Sequence, residues 1–182
     1  GGIEADLTIS RTGEEEFYIV TGSAFGVHDR SWIEKHSPRD GSVVIDDLTE
    51  EFGVINLCGP HARDVLQNVT DDDISNETLP FSSYADIRVA GHPVRAMRIG
   101  YVGELGWEMH MGRENMPAVY KALAEAGSQY DIADVGYRAI DSLRMEKGYL
   151  YWSSDISPDY NPFEAGLGSV SYTHLTLPTI YS

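Results

Sequence analysis

An α+β architecture, with mixed or antiparallel sheets flanked by helices, follows from three features of the sequence. Short runs that alternate apolar and polar residues come in pairs around turn-forming positions, helically spaced segments are interspersed among them, and no regular strand-helix-strand repeat runs through the chain. The chain has 182 residues, 42% of them hydrophobic, a length that suits about one domain. A chain of this size buries roughly 70% of the surface its unfolded form exposes, so it needs neither metal nor disulfide to hold a core.

The elements follow in order. Leu7 and Ile9, then Phe17 and Ile19, alternate with polar neighbours on either side of a polar stretch from Arg11 to Glu16, which predicts a hairpin. From Ser23 to His36, Phe25, Trp32 and Ile33 recur near helical spacing behind a serine able to cap, predicting a helix. Val43 to Ile45 and Val54 to Cys58 read as short strands. Gly59-Pro60 then punctuates before residues 61–69, where Ala62, Val65 and Leu66 share one helical face. Ile87 and Val89, then Val94, Met97 and Ile99, flank Gly91-His92-Pro93, a turn between two strands. A third strand, Trp107 to Met111, follows a glycine-rich run. Val119, Leu123 and Ala126 mark a helix stopped at Gly127, and residues 135–147 form another that ends at Gly148. Residues 155–162 are a turn-rich connector. Residues 169–182 carry little charge and no period, so they are expected to be foreign to a domain spanning 1–168.

Composition excludes several kinds of function. Lys and Arg number 13 against 29 Asp and Glu, a formal charge of −16 spread along the chain, which argues against a nucleic-acid partner. No apolar run approaches the roughly 20 residues of a membrane span. No secretory signal opens the sequence, so Asn68-Val69-Thr70 and Asn76-Glu77-Thr78 are expected to be chance glycosylation triplets. Beginning on Gly1, directly in a strand-like pattern, the chain is expected to be an internal piece of a longer polypeptide. The single cysteine, Cys58, can form no intrachain disulfide and suits a reducing compartment. No dinucleotide fingerprint, phosphate loop or nucleophile elbow occurs. Asp71, Asp72 and Asp73 form a solvated turn lacking the ligand spacing of a calcium loop. None of the six histidines pair at helical spacing, so no metal is expected, and His28 and His110 are expected at the surface or as caps.

Three constellations remain, each open to two readings. In Gly1-Gly2-Ile3-Glu4-Ala5-Asp6-Leu7 an acid heads a strand with apolar neighbours; it is either a solvated turn residue or a carboxylate able to take a proton or orient an amine. In the run from Gly100 to Glu108, three glycines crowd around Tyr101, Trp107 and two carboxylates. That is either a glycine-rich turn capped by a core tryptophan, or an aromatic wall with a bidentate carboxylate suited to a flat heterocycle with adjacent N–H donors. Arg88, Arg95, Arg98, Arg138 and Arg144 either clamp an anionic cargo or pair with the surplus acids.

Taken together these runs resemble the folate-binding module shared by the glycine cleavage T-protein, an aminomethyltransferase, and the carboxy-terminal half of the sarcosine and dimethylglycine dehydrogenases. The resemblance rests on Gly1-Gly2-Ile3 with Asp6-Leu7, the strand from Phe17 to Gly22, Gly59-Pro60, Gly103 to Glu108, Gly136 to Gly148, and Asn161 to Leu167, all in matching order over residues 1 to 168. The stretches Asp73 to Ser82 and Ala90 to Arg98 most resemble the sarcosine dehydrogenase branch, with the dimethylglycine branch close behind.

The resemblance implies a fold of the aminomethyltransferase folate-binding type, incomplete at both ends. It further implies that tetrahydrofolate captures the one-carbon unit released by amine oxidation as 5,10-methylenetetrahydrofolate. FAD would sit in a separate upstream domain, which would take the methylamine substrate and pass electrons to an acceptor protein. By position, Asp6 matches the catalytic acid near the folate nitrogens, Glu108 the carboxylate on the pterin edge, and Tyr101 a ring-contacting tyrosine. Thr21 and Gly22 match the strand end near the pterin, and Arg138 a T-protein arginine at the ligand site. T-proteins usually carry Asn where Gly22 stands, which points to the dehydrogenase branch. Localisation by family would be the mitochondrial matrix or a bacterial cytoplasm.

Overall fold

The structure, a computed structural model, describes residues 1–167, and the expectation for residues 169–182 lies outside them. The span read as one domain is organised as two compact units, one of Gly1–Val43 with residues 150–167, the other of Val44–Tyr149. All the paired strands are antiparallel, and helices accompany both sheets, as an α+β fold requires.

In the first unit, β1 (Leu7–Arg11) and β2 (Phe17–Thr21) form the expected hairpin, with Leu7 opposite Thr21 and Ile9 opposite Ile19. Alternation places Ile9, Phe17 and Ile19 on one face, yet 59% of the Ile9 surface stays exposed. A period of two says which residues share a face, without saying that anything covers it. The helix α1 (Gly26–His36) starts three residues later than Ser23 predicts. Ser23 does not cap it; Gly22 and Phe25 first close a turn, the Phe25 amide donating to the Gly22 carbonyl at 2.8 Å. Residues 150–167 run through successive turns with one isolated bridge, Trp152 to Ile156.

The second unit holds a four-stranded sheet in the order β3-β6-β5-β4, built from β3 (Phe52–Cys58), β4 (Tyr84–Val89), β5 (His92–Met97) and β6 (Gly106–Gly112). No strand forms at Val43 to Ile45, where Val44 is 80% exposed. That β-branched run has the propensity without a ladder partner, and an unpartnered strand has nowhere to place its backbone hydrogen bonds. The β4–β5 turn is Ala90-Gly91, one residue earlier than predicted. Both residues have positive φ, 49° and 81°, the geometry of the two-residue hairpin turns that match strand twist. His92 and Pro93 therefore open β5, and Pro93 lies outside the β5–β6 ladder, where its missing N–H costs nothing.

Trp107, Met109 and Met111 alternate along β6 toward the core. They meet Leu57 of β3, Val94 and Ala96 of β5, the apolar face of α2 (Ala62–Gln67), and Val119 and Leu123 of α3 (Met116–Gly127). α4 (Tyr137–Glu146) follows, beginning two residues later than Val135 and ending as predicted. Gly148, at φ +73°, closes it in a Schellman arrangement: the Tyr149 amide donates to the Arg144 carbonyl at 2.9 Å and the Gly148 amide to Met145 at 3.0 Å. Among the described residues no helix is long and apolar enough to cross a membrane.

Candidate functional site

Strand alternation sends Glu108 to the side of β6 opposite Trp107, in register with Asn56 on β3 and Met97 on β5. Two residues on, His110 shares that side and is 2% exposed, correcting its expected surface position. β6 is an interior strand flanked on both edges, so its polar positions are not its open ones. His110 Nε2 lies 3.7 Å from Glu108 Oε2, within ion-pair range when the ring is protonated.

Glu108 and Tyr101 line a common cavity of about 650 Å³ in the second unit, a volume typical of small-molecule sites. Its walls are largely apolar, with Ile55, Leu57, Leu123, Ile140 and Leu143 among them. The Tyr101 ring is stacked with Tyr149, centroids 6.2 Å apart and planes 24° from parallel. Tyr149 is held where it is by the closure of α4. The polar side chains besides Glu108 and Tyr101 are Asn56, Cys58, Tyr120 and Asp134. The Tyr120 hydroxyl donates to both Asp134 oxygens at 2.9 and 3.0 Å, and that bond to a charged acceptor raises the phenol pKa. Burial, helped by the charge of Glu104, pushes the Cys58 thiol up. Among the described residues no lysine or arginine lines the cavity. With two carboxylates and no cation, it suits a neutral, flat, N–H-rich group and disfavours an anionic one.

The glycine-rich run has a core half and a half that lines the cavity. Gly103 has φ +68° and a Cβ there would collide with the Lys147 stem; a Cβ on Gly106 would collide with the Leu57 carbonyl. Trp107 is the core half, fully buried with the Arg63 guanidinium 5.2 Å above its ring, and Tyr101 with Glu108 is the cavity half. Among the five arginines, pairing with an acid is seen at Arg95 and Arg144, which bond Asp86 and Asp141 at 2.8 Å. Arg88 and Arg98 donate to the Gly91 and Leu79 carbonyls. Arg138 is exposed on α4 and outside the cavity wall, although Ile140 and Leu143 of the same helix belong to it.

The other sequence-predicted residues belong to the first unit. The Leu7–Thr21 pairing sets Asp6 and Gly22 side by side at the open end of the hairpin. Asp6 is exposed, yet the atoms packed around its carboxyl raise its pKa by desolvation. A Cβ on Gly22 would lie 3.0 Å from the Phe25 ring, so this end of β2 is crowded from its own side. Thr21 donates its hydroxyl to Asp29, which is 4% exposed and also meets His28. Asp29, His28 and Glu4 were not singled out as a group by sequence reasoning. The available signal was an acid directly after a histidine within a predicted helix; it falls in the first turn only because α1 starts at Gly26.

A family model described as the GCVT N-terminal domain matches residues 1–173. The chain is 40% identical to mitochondrial sarcosine dehydrogenase of Mus musculus, over 98% of this chain and 21% of that protein. It is 41% identical to mitochondrial dimethylglycine dehydrogenase of the same organism, over 92% and 19%. Among solved structures, glycine cleavage system aminomethyltransferase T from Bartonella henselae superposes with a TM-score of 0.69 at 27% identity, over 88% of this chain and 41% of that one. The chain spans about a fifth of the length of the two dehydrogenases it matches.

Proposed function

We propose, because this chain belongs to the GCVT N-terminal domain family, that it is the tetrahydrofolate-binding part of an FAD-dependent amine demethylase, most like sarcosine dehydrogenase. The observation that carries this reading is the pairing of Glu108 with Tyr101 on one cavity whose described lining holds no cation. An ionised carboxylate accepts two adjacent N–H groups of a flat heterocycle, and a tyrosine ring walls its face. Both residue types line one cavity, which supports a pterin as its occupant. Bound there, tetrahydrofolate supplies the nitrogens that take up a one-carbon unit. Arg138 is the remaining candidate contact from the second unit.

Asp6 is the acid of the reaction. Desolvation raises its pKa, the direction that suits a group which gives and retakes a proton. Thr21 and Gly22 form the backbone approach beside it. The glycine at position 22, close against Phe25, accords with the dehydrogenase branch, since a side chain such as the asparagine usual in T-proteins would require the Phe25 ring to shift. Demethylation of sarcosine to glycine, with FAD and an electron acceptor elsewhere in the full protein, is the corresponding overall reaction. A mitochondrial matrix or bacterial cytoplasmic setting accords with it. In the full-length protein, Asp6→Ala should leave tetrahydrofolate binding intact while free formaldehyde accumulates during turnover. Formaldehyde release equal to that of the parent would remove Asp6 from the reaction.

A further inference from the structure

His28 has no part in the function described above, and it lies between two carboxylates. Its Nδ1 is 2.8 Å from Asp29 Oδ1 and its Nε2 3.3 Å from Glu4 Oε1. Asp29 is buried and takes the Thr21 hydroxyl on its other oxygen, so its position is fixed by β2 and α1. The imidazole lies 5.5 Å from the Trp152 ring, whose Nε1 donates to the Ile3 carbonyl at 2.8 Å; the Ile3 amide donates to the Tyr160 carbonyl at 3.0 Å. The Ile3-Glu4 step, just ahead of Asp6, is therefore held at three points. Only the one through His28 can titrate between pH 5 and 8.

We propose that His28 is a positioning residue, whose protonated ring ties the segment leading to Asp6 onto α1 and so sets Asp6 for one-carbon capture. The functional half of this rests on the role given to Asp6 above. An imidazolium donates to both carboxylates at once, whereas a neutral ring has one N–H and must turn a lone pair toward the other. The charged groups acting on the ring are Asp29 and Glu4, both acidic. Led by the bond to Asp29, they raise the His28 pKa above the ordinary imidazole value of about 6.5. A raised histidine pKa means that the tie is complete below that ordinary value and is lost as pH climbs through the raised one.

The test is amide hydrogen exchange of residues 3–7 in the full-length protein, corrected for intrinsic rates, between about pH 6 and about pH 9. In the parent, protection falls about threefold across the His28 titration, as suits a partly exposed pair. In His28→Gln it is low and independent of pH; in His28→Arg, permanently charged, it stays high and independent of pH. Glu4→Gln leaves the Asp29–His28 pair intact and should show the same loss as His28→Gln. Protection that is equal and flat in the parent, His28→Gln and Glu4→Gln overturns the tie. Formaldehyde release, followed in the same variants, should rise wherever protection falls. Loosening without extra formaldehyde upholds the tie but overturns its positioning of Asp6, whose own role stands or falls with Asp6→Ala.

Discussion

Trp107 and Glu108 are consecutive in the chain and face opposite sides of one strand, so substitutions there separate folding from binding. Trp107→Ala removes a wholly buried ring and should cost about 3–5 kcal/mol, read as a lower urea midpoint. Glu108→Ala deletes a side chain outside that core and should leave the midpoint within about 1 kcal/mol of the parent. An equal loss from both would mean that Glu108 is structural. The core positions of β6 were legible because Trp107, Met109 and Met111 alternate. The burial of His110 was not, since polarity marks a solvent face only where the strand has one. Asp29 escaped notice because Thr21, whose hydroxyl it accepts, lies on β2, and Glu4, the second carboxylate on His28, lies earlier still.

Element boundaries depend on backbone geometry that composition only partly encodes. Gly148 was readable as the stop of α4 because few other residues accept its φ of +73°. Gly148→Ala should therefore destabilise by about 1 kcal/mol, measured as a lower melting temperature. It should also disturb the stacking of Tyr149 on Tyr101, seen as altered tyrosine fluorescence. An unchanged melting temperature would show that the left-handed closure contributes nothing. The start of α1 was misplaced because Ser23 has the right chemistry in the wrong place, the Gly22–Phe25 turn having claimed the chain first. The strand expected at Val43 to Ile45 failed for want of a neighbour, which no local pattern reports.

At the level of the molecule, the first unit is made from both ends of the described chain, residues 1–43 and 150–167. Periodicity has no reach of that kind, and the resemblance, which runs across the whole span, conveys order without partition. The α+β content was nevertheless available in advance. The glycine-rich run around aromatics and acids, costly unless something packs against it, left a capped turn and a ligand wall both open, and only the resemblance singled out Glu108 and Tyr101. The formal charge of −16 implies self-repulsion in the compact state. Raising salt from about 20 to about 200 mM should accordingly raise the melting temperature, whereas a decrease would mean that attractive pairs dominate. What decides whether this chain grips a pterin is a calorimetric titration of tetrahydrofolate against the full-length protein and its Glu108→Ala variant. Loss of a charge-assisted bidentate contact predicts affinity weaker by about 2 kcal/mol, roughly thirtyfold; equal affinity in the two proteins would contradict it.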